Sequence, residues 1–193
     1  MSGSWFNAGE QDGIRILRLQ SDDGTNRLTA GCVLALIDAI ADFSKPPQPL
    51  IITGNQKFFS AGADIREIAA IGGASGYEFA KMGQALMLAI ERFPAPTYAA
   101  VSGYCMGGGL DLALSCSRRI AAPNAVFAHR GAALGLITGW GGTQRLPRLV
   151  GKGIALEMFV AAEKIGSQRA LEIGLVEAVA PDPVAQAVKL LNP

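Results

Sequence analysis

The sequence predicts an α/β fold, and three observations carry that prediction. Short apolar runs with strand character alternate with longer stretches whose apolar residues recur at helical spacing. Half of the 193 residues are hydrophobic and only 17% are charged, so the chain can bury a real core rather than stay disordered. Glycines, 24 in all, stand where two of the strand-like runs give way to helices.

Ile14–Leu19 (IRILRL) alternates apolar and charged residues, the pattern of a half-buried strand. Thr29 is placed to cap a helix carrying Val33, Leu34, Ile37 and Ile40 on one side. SKPPQP ends that unit, and Leu50–Thr53 (LIIT) reads as a buried strand bounded by Gly54. A polar loop leads into a short helix over 64–70. Ser75 is placed to cap a longer helix, which Pro94 and Pro96 stop near Phe93. Thr97–Val101 (TYAAV) is the next strand, leading into the glycine stretch and the helix behind it. RRIAA (118–122) and AVFAH (125–129) read as two more strands, joined by a turn at Pro123 and Asn124. The remainder is mostly helical, over 143–149, 152–162, 167–173 and a last piece after Pro183. No internal repeat, low-complexity tract or long linker interrupts this order.

Composition excludes several classes of function. A formal net charge of +1, no basic block and few aromatics argue against a nucleic-acid partner. Apolar runs are broken well before spanning length, and the N-terminus lacks a basic start followed by an apolar stretch, so neither a membrane span nor a signal peptide is expected. Cys32, Cys105 and Cys116 form neither a CxxC motif nor an even disulfide set. They read as buried fillers in a reduced, cytoplasmic protein. No ligand cluster implies a metal. The high apolar content leaves burial between subunits open.

The chemistry-bearing stretch is GYCMGGGLDLAL (103–114). A strand ending in glycines that open a helix leaves backbone N–H groups pointing outward at a helix N-terminus, a setting that favours an anion or a developing oxyanion. Glycine lets a carbonyl approach the main chain with no Cβ in the way. Asp111 lies about one turn inside that helix, within reach of the same carbonyl. The plainer alternative is close helix–strand packing, with Asp111 a satisfied first-turn carboxylate. The spacing matches neither the dinucleotide GxGxxG nor a P-loop. ITGNQKFFSAGADIREI (52–68) is a second strand, glycine-containing loop and helix start. Two such junctions can each give one N–H to a single carbonyl oxygen.

At these residues the chain resembles the crotonase superfamily, the enoyl-CoA hydratase/isomerase family. SAGADI and SGYCMGGGLDLAL are similar to its two oxyanion-hole motifs, in the usual order. GWGGTQRLPRLVGKGIALEM and SQRALEIGLVEAV are similar to its later signatures, and the likeness covers roughly residues 14–180. It implies a crotonase-like (ClpP/crotonase) spiral of ββα units, one domain over 1–193 lacking most of the usual C-terminal helical region, and assembly as a homotrimer or hexamer. It also implies an acyl-CoA thioester substrate and no cofactor, coenzyme A being part of the substrate. By position, the oxyanion donors are the amides of Ala63 and Gly108. The stretch of Ala61, Ala63, Asp64, Ile65 and Arg66 lies along the CoA moiety, with Lys57 and Arg66 as candidates for phosphate contacts, although exposed cations are commonly just solvated. Losing one oxyanion donor costs about 3 kcal/mol of transition-state binding.

Two features depart from the family pattern. Hydratases of the family use two acids; Asp111 fills the first position, shorter by one methylene than the usual Glu, whereas the second falls on Gly131. A later acidic position of some relatives falls near Gly139. His129, the only histidine, has a suitable intrinsic pKa and, in a strand, shares a face with residue 131; its alternative is a contact with backbone or solvent. Tyr104 and Glu67 are further possible donors, and the missing side chain at 131 leaves room for a water or small anion. The expected function is an enoyl-CoA hydratase/isomerase-type enzyme, with Asp111 as general acid/base. The alternatives are a catalytically weak acyl-CoA-binding paralogue and a decarboxylase or other enolate chemistry.

Overall fold

A computed structural model describes residues 5–192, with Ala74 described by its backbone alone. Strands β1 (Phe6–Gln11) and β2 (Ile14–Leu19) form an antiparallel hairpin. Its turn residues Asp12 and Gly13 both have positive φ, 52° and 74°, as a two-residue hairpin turn demands. The period-2 pattern of β2 sends Leu17 and Leu19 into the main core and Ile14 into a smaller one on the other face. After β3 (Arg27–Leu28) comes α1 (Ala30–Phe43), capped as expected by Thr29, whose Oγ1 accepts the Cys32 N–H at 3.2 Å. The buried stripe of α1 is Cys32, Val33, Leu36, Ala39 and Ile40, with Ile37 partly buried beside it; Leu34, expected on that side, lies outside it and is 53% exposed.

The next segment holds β4 (Leu50–Thr53), β5 (Phe58–Ser60), β6 (Gly62–Ala63), α2 (Ile65–Ala70) and α3 (Gly73–Glu91). Gly72, in extended conformation, takes the N-cap of α3 in place of Ser75, and the Gly76 N–H reaches the Gly72 carbonyl at 3.2 Å. The helix therefore starts three residues earlier than its polar cap signal suggests. Then follow β7 (Thr97–Val101), β8 (Tyr104–Met106) and α4 (Gly108–Ser115). The last full unit is β9 (Arg118–Ala121), β10 (Val126–Ala128), a 3₁₀ turn over Arg130–Leu134 and α5 (Gly142–Val150). The chain closes with α6 (Lys152–Val160), β11 (Ile165–Gly166), α7 (Ser167–Glu172), β12 (Ala178–Val179) and α8 (Pro183–Leu191). Among the described residues no helix is long and apolar enough to cross a membrane.

Each ββα unit splits its two strands between two sheets. The six-stranded sheet has the order β1-β2-β4-β7-β9-β12, parallel except for the hairpin. Its central strands β4 and β7 are buried along their whole length, which is why they read as unbroken apolar runs. The four-stranded sheet has the order β11-β10-β8-β5, with β10, β8 and β5 parallel. Register pairs Met106 with Ala128 and Cys105 with Ser60. The carboxyl ends of these three strands therefore lie together, and the segments leaving them (61–63, 107–108 and 129–131) emerge at one edge. Open parallel sheets bind their ligands at such an edge.

Candidate active site

Segment 60–63 is pinned from both sides. Ser60 is buried; its Oγ donates to the Asn26 carbonyl at 2.7 Å and accepts the Gly62 N–H at 3.1 Å. Asn26 in turn donates through Nδ2 to the carbonyls of Phe58 and Phe59. Gly62 has φ +89°, and a Cβ there would stand 2.5 Å from the Met106 carbonyl oxygen and 3.0 Å from the Gly108 nitrogen. Only glycine permits this approach. On the other side, a Cβ on Gly108 would stand 3.2 Å from the Ala63 nitrogen. The amides of Ala63 and Gly108 thus share one spot, and Gly108, the first residue of α4, has no acceptor one turn back in its own helix.

That spot opens on a cavity of about 330 Å³ lined by Ala61, Ala63 and Gly108, by the apolar side chains of Ile68, Ile71, Phe79, Leu134, Ile137 and Phe159, and by Asp111 and His129. One wall is Trp140, 3% exposed, whose indole N–H donates to the Phe79 carbonyl at 3.3 Å. A Cβ on Gly108 would meet its ring at 2.7 Å.

Asp111 and His129 are 1% and 4% exposed. His129 Nε2 stands 3.4 Å from Asp111 Oδ1, yet neither atom has a hydrogen-bond partner. The other oxygen, Oδ2, accepts a short bond from the Thr138 hydroxyl. Burial pushes Asp111 up to about 7, against the Thr138 bond, the Arg145 charge and the Gly142 amide, which favour the carboxylate. Burial pulls His129 down to about 4. At 3.4 Å the pair has the spacing of an ion pair, but burial penalises both charges and no hydrogen bond joins the two groups. We therefore read it as a carboxylic acid beside a neutral imidazole. The plainer alternative, a satisfied first-turn carboxylate, therefore fails at Oδ1.

The comparisons with known proteins fit this geometry. A profile of the enoyl-CoA hydratase/isomerase family matches residues 9–191. The chain belongs to that family. A crotonyl-CoA hydratase of Syntrophomonas wolfei is 38% identical over 184 residues, covering 93% of this chain and 71% of the relative. A short-chain-enoyl-CoA hydratase of Clostridium acetobutylicum is 36% identical over 174 residues, covering 88% of this chain and 67% of the relative. Among solved structures, an enoyl-CoA hydratase of Bacillus anthracis superposes with a TM-score of 0.92 at 31% identity, covering 98% of this chain and 76% of that one. The ββα units are those of the crotonase fold.

Within this hydratase/isomerase framework the remaining candidates fall in different places. Ile65 lines the cavity with Ala61 and Ala63. The Asp64 carboxylate is turned to other work: it caps α2 through the Arg66 N–H and binds the Arg66 guanidinium, which holds it down at about 2. Arg66 has its side chain 83% exposed, and Lys57 is exposed in the loop before β5; neither lines the cavity. Tyr104 stacks on Phe58 at 5.4 Å and Glu67 accepts the Ala30 N–H at 2.8 Å, both away from the cavity lining. Two expectations about Gly131 need correction. β10 ends at Ala128, so His129 and Gly131 do not share a strand face; a 3₁₀ turn brings both to the cavity instead. Nor does the glycine leave a side-chain-sized space, because a Cβ there would stand 2.7 Å from the Leu136 carbonyl oxygen. Thr138, Trp140 and Gly142 are site residues to which the sequence assigns no role: Trp140 and Gly142 stand in it only as part of the GWGGTQRL signature, and Thr138 just before it.

Proposed function

We propose that this chain, an enzyme of the enoyl-CoA hydratase/isomerase type, adds water reversibly across the double bond of a 2-enoyl-CoA thioester. The observation that carries the reading is the presence, in one apolar cavity, of the Ala63 and Gly108 amides and the Asp111 carboxyl group. The two N–H groups hold the thioester oxygen. As water adds to C3, that oxygen gains enolate charge, and each donor lowers the barrier by about 3 kcal/mol. Asp111, raised to about 7, is poised to exchange a proton with the α-carbon at neutral pH. His129 is the second titratable group of the cavity. Addition and proton transfer need no cofactor. The Ala61–Ala63 segment and Ile65 would run along the pantetheine, with Arg66 and Lys57 reaching phosphates from solvent.

The names of the relatives from S. wolfei and C. acetobutylicum, both hydratases, support the reaction class. Three buried, free cysteines suit a reducing cytoplasm. Exposed Leu134, Ile137, Leu156 and Val160 suit the trimeric or hexameric assembly implied by the family. The test is loss of the conjugated-thioester absorbance of crotonoyl-CoA, comparing the protein with Asp111→Asn. Hydration that falls 100-fold or more in the variant supports the reading. Binding without turnover in the wild type would favour an acyl-CoA-binding role, and turnover of a malonyl-type thioester alone a decarboxylase.

A further inference from the structure

We propose that His129 takes the proton of the attacking water while Asp111 gives the proton to the α-carbon, so that the two residues form one proton circuit in place of a pair of carboxylates. This deepens the hydratase reading and rests on it.

The geometry supplies four reasons. His129 Nε2 and Asp111 Oδ1 are 3.4 Å apart and both lack a hydrogen-bond partner. Buried polar atoms are ordinarily satisfied, so an orphaned pair lining a cavity marks where something polar binds. Gly142 backs the pair: a Cβ there would stand 2.2 Å from Oδ1 and 2.9 Å from Nε2. No water fits on that side, which leaves the cavity side. Thr138 occupies Oδ2, so Oδ1 is the working oxygen. Finally, Gly131 carries no acid, and the Leu136 carbonyl closes on it.

The surroundings set the direction of transfer. The groups facing the pair are the Cys105 thiol from β8, held protonated by burial, the Arg145 charge from α5 and the Phe159 ring from α6 at 5.0 Å from the imidazole; Arg130, in the 3₁₀ turn, lines the same cavity. Arg145 binds Glu91 and the Trp140 carbonyl. For Nε2 to accept a proton, the resting pair must be a carboxylic acid and a neutral imidazole protonated on Nδ1. Water oxygen bonds to C3 and its proton passes to His129 Nε2. The C2=C3 electrons move onto the carbonyl oxygen, held by the two amides, and C2 then takes the proton of Asp111. The new carboxylate, 3.4 Å from the imidazolium, stabilises it until that proton crosses to Oδ1. The substrate has gained H and OH, and the enzyme is restored.

Two assays on two variants separate the roles. Crotonoyl-CoA hydration needs both residues, whereas exchange of the α-hydrogens of butyryl-CoA in deuterated water, followed by NMR, needs only the oxyanion donors and Asp111. His129→Gln should lower hydration 100-fold or more while exchange falls less than tenfold, which also shows that the variant folds. Asp111→Asn should lower both 100-fold or more. Hydration by His129→Gln within tenfold of wild type would overturn the proposal, as would equal loss of hydration and exchange. A wild-type protein that exchanges but does not hydrate overturns the hydratase reading itself, and this proposal with it.

Discussion

Replacing one member of the Asp111–His129 pair should change how stability depends on pH, and the two replacements should act with opposite sign. Burial raises Asp111 from its ordinary 3.8 to about 7; at 1.4 kcal/mol per pH unit this is roughly 4 kcal/mol of stability. A raised folded-state pKa means that this stability is present below pH 3.8 and lost as pH rises towards 7. His129 is lowered from 6.5 to about 4, roughly 3 kcal/mol. That stability is present above pH 6.5 and lost as pH falls towards 4. Between pH 4 and 6.5 the folded pair and the unfolded pair each hold one proton, on Asp111 in one and on the histidine in the other. The two slopes therefore nearly cancel in the wild type. Urea unfolding at pH 4 and 6.5 reads the consequence. Wild type should gain about 3 kcal/mol relative to His129→Gln across that interval, and lose a similar amount relative to Asp111→Asn. Equal pH slopes in wild type and both variants across that interval would mean that burial shifts neither group, and would refute the neutral assignment.

Three further outcomes follow from the same geometry. Thr138→Val removes a hydrogen bond that favours the Asp111 carboxylate, so the alkaline limb of the hydration profile should move up by about one to two pH units, with Thr138→Ser restoring it. Gly131→Glu puts a carboxylate at the position where hydratases carry one, but its Cβ meets a backbone oxygen at 2.7 Å. It should cost roughly 1–3 kcal/mol in urea unfolding and lower hydration rather than raise it. Gly108→Ala brings a Cβ to 2.7 Å from the Trp140 ring and 3.2 Å from the Ala63 nitrogen; kcat for crotonoyl-CoA should fall about 100-fold.

What could be read from the sequence follows from how local each signal is. The strands of the large sheet were legible because β4 and β7 are buried on both faces and read as continuous apolar runs. β5 and β8 were not, since each is three residues long and gains its identity from pairing with the others, a non-local fact. The glycine motifs announced a helix N-terminus and a close approach, and Gly62 and Gly108 bear that out. Thr138 was invisible because its role depends on a carboxylate 27 residues away. Gly131 misled in the opposite sense: absence of a side chain suggested space, while the chain folds its own carbonyl onto that glycine.

The central claim, that the Ala63 and Gly108 amides polarise a thioester carbonyl, is tested most directly by isotope-edited infrared spectroscopy of carbonyl-labelled crotonoyl-CoA bound to the Asp111→Asn variant. The account predicts a carbonyl stretch at lower wavenumber than in water, lost when Gly108→Ala is added. A bound stretch at or above the aqueous value would contradict it.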